Sequence, residues 1–284
     1  MSDEDLHAQQ DNTRWAFGTG FTDPLHGMDP AVPDSVDAEA LAACCLALAD
    51  DALVSAQRLA EWCTRAPELE EELALANIGL DLLGQARLLY ARTGRIDGTG
   101  RGEDAYAYYR DAADFRNVAL AELPGRDFAF TIVRLLVLST WRLALFETLT
   151  TAPDPVLAAI AAKSVKELAY HRRYAAEWTV RLGDGTRESR QRMEAALDSI
   201  AFWLPELLND HTAAHLGAAP AGVAHRTRSQ LTEVLEAAGL KRAWDDLHEP
   251  LIAGSGRDGD HTEHLAPLLT ELQSVARAHP SAAW

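Results

Sequence analysis

Glu167 and His171 stand one helical turn apart in the stretch from Val156 to Arg181, VLAAIAAKSVKELAYHRRYAAEWTVR. Around them Ile160, Ser164, Glu167, His171, Tyr174 and Trp178 recur at spacings of four, three, four, three and four. That rhythm places all six on one helix face, the face a bundle buries. A carboxylate and an imidazole on such a stripe is how four-helix di-iron proteins build half of a metal centre. Their motif is Glu-x-x-His, however, and the residue three after Glu167 is Tyr170. The residues are those of a metal bundle from which the metal has been edited out. They need long helices to position them.

The 284-residue chain, 48% hydrophobic, is long enough for one large domain with an ample core. Its net charge of −17, with no block of Lys and Arg, argues against nucleic acid and anionic membrane as partners. The lysines are only Lys163, Lys166 and Lys241, two of them on the helix described above. Cys44, Cys45 and Cys63 have neither disulfide nor CxxC metal spacing and read as small buried hydrophobes in a reducing compartment. The start, MSDEDLHAQQDN, is not a secretory signal. No charge-free apolar run approaches about 20 residues, so no spanning helix is expected, and the reading is a cytoplasmic protein.

Residues 1–36, rich in Asp, Pro and Gly, read as a flexible N-terminal extension, with Trp15 and Phe17 as docking residues, and 37–284 as one helical domain. A first helix runs from Asp37 to Thr64, with Leu41, Cys45, Leu48, Ala52, Ser55, Leu59 and Trp62 as its stripe. Pro67 and the acidic run Glu68, Glu70, Glu71 and Glu72 open a second, because negative charge suits the positive end of the helix dipole. It carries Leu69, Leu73, Ala76, Leu80, Leu83 and Tyr90 and stops before Gly94. Residues 94–127 are a long connection with a helical stretch from Asp104 to about Glu122. Phe128 to Leu149 is the third long helix, and Pro153 and Pro155 lead into the fourth. A fifth follows from Thr186, its cap by residue type, to Leu208; shorter ones span Thr227 to Ala238 and Thr262 to Ala278, with a flexible turn at Gly254 to Gly259. No segment alternates as a strand would. The fold class is all-α, a four-helix core with additional packed helices and a crossover between the second and third.

Three stretches carry a resemblance: LALADDALVSAQRLAEWCTRAPELEEELALANIGLDLLGQAR (46–87), AAKSVKELAYHRRYAAEWTVRLGDGT (161–186) and GDHTEHLAPLLTELQ (259–273). Over roughly residues 38–284 the chain resembles the C subunits of bacterial phenylacetyl-CoA 1,2-epoxidases, which are multicomponent di-iron monooxygenases. The resemblance implies a ferritin-like bundle and a structural, non-catalytic subunit that binds no cofactor itself. It implies a di-iron catalytic A subunit as partner, together with other epoxidase subunits. Reducing equivalents from NADPH would arrive through the flavin and iron–sulfur centres of a separate reductase. Homodimer and higher hetero-oligomer both stay open.

The chain's own residues bear on that division. The one Glu-x-x-His is Glu4 with His7, ahead of any bundle helix. Where the motif falls in the second helix stand Asp81 and then Gly84, which has no side chain, followed by Gln85. His171 is one residue late, rotated by about 100° from the ligand direction at position 170. Asp81, Gln85, Lys163, Lys166, Glu167 and His171 are thus expected to be a vestigial site, with a lysine or the imidazole standing in for metal cations. The plainer alternative for Lys163 and Lys166 is a solvated face. His261, Glu263 and His264 have a spacing that could suit a metal, but a packing or subunit-interface role is the expectation. Gly94 to Gly102 lacks phosphate-loop spacing. Two rival readings remain: an independent di-iron oxidase or iron-binding bundle using Asp81, Glu147, Glu167 and His171, and an acyl-CoA-binding bundle without chemistry.

Overall fold

A computed structural model describes residues 28–240 and 254–282. Residues 1–27, with Trp15 and Phe17, and the segment holding Trp244, Asp245 and His248 lie outside the described residues. The elements are α1 (Ala38–Ala60), α2 (Leu69–Ile96), α3 (Glu103–Tyr108), α4 (Ala119–Glu122), α5 (Phe128–Leu149), α6 (Pro155–Gly183), α7 (Arg187–Ala201), α8 (Leu204–Leu208), α9 (Pro220–Ala237) and α10 (Leu265–Ala278). Three 3-10 turns, Ala112–Asp114, Ala214–Leu216 and Gly256–Asp258, punctuate the connections, and no strand occurs among the described residues. The α1–α2 and α5–α6 pairs are two hairpins joined by a long crossover, the ferritin-like arrangement.

Each long helix starts where its sequence lets it. Asp37, Asp127 and Asp154 cap α1, α5 and α6 by accepting from first-turn amides, and Pro155 follows Asp154 at the first helical position. Asp154 also forms a buried ion pair with Arg92 of α2, which ties the turn of the second hairpin to the end of the first. Helix α5 is buried on nearly every side. By length and composition it could cross a membrane, yet 94% of its most apolar window is buried inside the bundle.

Several boundaries differ from the expectation. Helix α2 runs through Gly94, because that glycine serves close approach rather than termination: a Cβ there would lie 2.0 Å from the Arg101 carbonyl oxygen. The crossover helix is three short pieces instead of one. The helix expected from Thr186 to Leu208 is capped by Thr186 but breaks at Phe202 and Trp203, ahead of Pro205. Helix α9 begins at Pro220, well before Thr227, and α10 begins at Leu265 after Thr262. Cys44 and Cys45 are buried, but Cys63 is exposed.

The stripe expected on α2 is the largest correction. Leu75, Ile78, Leu82, Ala86 and Leu89 face the core, whereas Leu69, Leu73 and Leu80 are 65%, 55% and 64% exposed. The helix is apolar on two faces, and the bundle buries only one.

Candidate functional site

Four long helices meet around the polar residues singled out by spacing. On α2, Asp81 and Gln85 are one turn apart; on α6, so are Lys163, Glu167 and His171. The two rows face each other. His171 Nε2 lies 3.0 Å from Asp81 Oδ2, and Gln85 Nε2 donates to Glu167 Oε2 at 3.0 Å. Lys163 forms an ion pair with the other oxygen of Glu167. His171 and Gln85 are fully buried, while Asp81 and Glu167 sit at the rim. Lys166 points to solvent, in keeping with the plainer alternative. The buried centre of the α6 face passes through Ser164, Leu168, His171 and Ala175, with Glu167 beside it.

The main cation of this centre is a residue that spacing did not flag. Arg142 of α5 donates through Nη2 to Gln85 Oε1 at 3.1 Å and through Nη1 to the Leu48 carbonyl at 3.2 Å. Nη1 also faces Asp51 of α1 at 3.4 Å. Gln85 is therefore a relay: its carbonyl accepts from a guanidinium and its amide donates to a carboxylate, an arrangement only one amide orientation satisfies. Burial pulls Arg142 down to about 10, against the opposing pull of Asp51, so it stays charged at neutral pH. Nothing in the spacing along α5 distinguishes a core arginine such as Arg142 from one that reaches out of a bundle.

Behind Arg142 lies a second polar layer. Arg257, from the 3-10 turn expected to be a flexible loop, donates to both oxygens of Asp51 (3.0 and 2.9 Å) and to Asp210 at 3.0 Å. Burial would lower the Arg257 pKa, but Asp51 and Asp210 outweigh it and hold it above the usual value. The same guanidinium, with hydrogen bonds from Thr212, keeps Asp210 below the ordinary carboxylate range despite burial. Asp50, next along α1, receives the Tyr90 hydroxyl, the Arg110 guanidinium and the Arg116 amide. The amides of Val118 and Ala119 go to Asp51 and Glu206, each at 2.8 Å. Three amides of a buried, irregular crossover are thus satisfied by carboxylates from α1 and α8, as a buried loop requires.

His261 belongs to this layer. Its Nδ1 is 2.7 Å from Glu122 Oε1 and its Nε2 is 3.0 Å from the Phe115 carbonyl, while the Thr262 amide and hydroxyl bind the other Glu122 oxygen. Both ring nitrogens are engaged within the chain. Glu263 is exposed, and His264 presents its carbonyl to Arg58.

A di-iron centre asks for four carboxylates and two histidines from the four helices. The donor set here does not fit it. Gly84 offers nothing, Tyr170 is 39% exposed and Lys163 already occupies Glu167. Arg142 fills the interior with a positive charge. Glu147, needed by the rival oxidase reading, pairs instead with Arg226 near the surface at 2.6 Å. Among the described residues, no three His, Cys, Asp or Glu side chains stand together in a way that could hold a metal ion.

Comparison with known proteins adds two findings. A family model described as "Phenylacetic acid catabolic protein" matches residues 28–284. The chain is also similar to the C subunit of the 1,2-phenylacetyl-CoA epoxidase of Escherichia coli (strain K12), at 42% identity over 246 residues, covering 86% of this chain and 99% of that protein.

Proposed function

Because the chain belongs to the phenylacetic acid catabolic protein family, we propose that it is the structural, non-catalytic subunit of a phenylacetyl-CoA 1,2-epoxidase and supports a separate di-iron catalytic A subunit. The observation that carries this reading is the Arg142–Gln85–Glu167–Lys163 chain of contacts, which puts one cation in the bundle centre and a second at its rim where an oxygenase needs metal ligands. A centre closed by hydrogen bonds between α2, α5 and α6 gives a stiff bundle without the opening and redox cycling of a metal site. In this reading the chain carries no cofactor. Iron resides in the A subunit, and electrons from NADPH reach it through the flavin and iron–sulfur reductase of the same complex.

The exposed leucines of α2 are the surface we assign to contact with the complex. Leu69, Leu73 and Leu80 recur on one face beside the acidic first turn of the helix, and a row of large apolar side chains facing water is more readily explained by a partner than by the fold. The acyl-CoA-binding reading finds no room at the centre, where the cavity measures about 20 Å³.

Metal content and co-purification test the proposal together. The full chain, purified alone from iron-supplemented cells, should contain almost no iron by mass spectrometry. Co-expressed with the A subunit, it should co-purify and raise that subunit's soluble yield and turnover. Close to two irons per chain would sink the non-catalytic reading, and an A subunit equally soluble and active without this chain would sink the supporting role.

A further inference from the structure

A small cavity of about 20 Å³ lies between α1, α2, α5 and α6, beside the Arg142 relay. Its lining includes Ser55, Arg134, Arg142 and His171, with leucines from all four helices and no carboxylate. These four polar residues are each at least nine-tenths buried, and each has a buried polar atom without a protein hydrogen-bond partner: Ser55 Oγ, Arg134 Nη1, Arg142 Nε and His171 Nδ1. Four residues with such atoms in the lining of one cavity are a concentration that folded proteins avoid, because a buried polar group left unmet loses its hydrogen bonds to water without replacement. Ser139, also in the lining, differs: its hydroxyl donates to the Leu135 carbonyl at 2.6 Å.

The chemistry of the unmet atoms is one-sided. Guanidinium N–H groups only donate, and a serine hydroxyl is free to donate. His171 Nε2 faces the Asp81 carboxylate and so carries the proton there, which leaves Nδ1 as an acceptor in the neutral ring and a donor in the charged one. The charges point the same way. Arg142 shares Asp51 with Arg257, which also has Asp210; Lys163 has Glu167; Arg58 has Glu61. Arg134 has no carboxylate within ion-pair distance among the described residues, and Arg58 is the cation nearest in effect. Burial and that like charge pull Arg134 down to about 10, against the opposing pull of Glu61, which still leaves it cationic at neutral pH.

We propose that this cavity is a binding site for a single halide-sized anion, chloride being the natural occupant, held by Arg134, Arg142 and Ser55. A water molecule would meet two of the three donors but leave Arg134 without a direct ion-pair partner. The space takes a single small sphere, which suits a monatomic anion better than tetrahedral sulfate or phosphate. The anion would bridge α1 and α5, adding to the contact that Arg142 already makes with the Leu48 carbonyl. The site does not depend on the epoxidase reading.

Two measurements on the full chain test it. In crystals grown with bromide replacing chloride, an anomalous difference peak is expected inside the bundle, within hydrogen-bond reach of Arg134 Nη1; density refining as water at that point would overturn the proposal without any variant having to fold. In thermal unfolding at constant ionic strength, exchanging gluconate for chloride should raise Tm saturably, by on the order of 5 °C at high occupancy. The rise should vanish in Arg134→Met and shrink in Ser55→Ala. An equal response to both anions, or a saturable rise that persists in Arg134→Met, would count against the site.

Discussion

The crossover clamp and the bundle centre are both buried and polar, yet they are built from opposite surpluses. At the clamp, each of Asp50, Asp51, Glu122 and Glu206 receives several donors, and Arg257 is surrounded by carboxylates. At the centre, donors outnumber acceptors: among the described residues Arg134 has no paired carboxylate and Arg142 shares one. The clamp joins segments that are far apart in sequence and have no regular backbone to hold them. The centre joins helices already packed by leucines and alanines. Charge serves connection in the first case and fills a space already enclosed by packed helices in the second, so removal should hurt the clamp more.

The sharpest test of that contrast is Arg257→Met, which leaves Asp51 and Asp210 buried with too little positive charge. We expect a loss of about 3–5 kcal/mol in urea unfolding; a loss below about 1 kcal/mol would mean the clamp does not hold the crossover. Glu122→Gln should follow, at about 2 kcal/mol, since two charge-assisted hydrogen bonds weaken at once. This pair also carries a pH signature. Burial lowers the His261 pKa, but the hydrogen bond to Glu122 and its charge outweigh burial and hold it above 6.5. The stabilisation is therefore complete below about pH 6.5 and is lost as pH rises through the folded-state value. Stability curves should fall across that window in the native chain and flatten in Glu122→Gln; equal slopes would rule the pair out as their source.

At the centre, Gln85→Leu should cost about 1–2 kcal/mol, because Arg142 Nη2 loses its acceptor while Glu167 keeps Lys163. Lys163→Met should be the mildest, under about 1 kcal/mol, since the pair with Glu167 is partly open to solvent. If Lys163→Met proved as damaging as Arg257→Met, the distinction between the regions would collapse.

How far the sequence could be read follows the same division. The limits of α5 were legible, as was the pairing of Asp81 with Gln85 and of Glu167 with His171 one turn apart, because helical spacing puts each pair on one row; that the two rows face each other came only with the fold. The cation was not: attention fell on lysines, while an arginine on an otherwise apolar helix reaches the site through a long side chain that periodicity does not aim. The clamp was invisible for a different reason. Arg257 meets Asp51 across 206 residues and from a glycine-rich turn, and only the folded crossover brings them together. On α2 two leucine rows competed, and the sequence offers no means of ranking them. Which one turns inward depends on the partner helices, and the row containing Leu80 stayed outside.

Helix α5 bears on how the chain is made. A segment of 22 residues this apolar, emerging from a ribosome, resembles what the membrane-insertion machinery selects. Arg134 and Arg142 stand inside it, and each would add about 2.5–3.5 kcal/mol to insertion if placed at the centre of a bilayer. The segments of α1 and α2 precede α5 in the chain and so are synthesised before it. The two arginines, harboured by the finished bundle, thus also bias the nascent chain away from lipid and toward its own first hairpin.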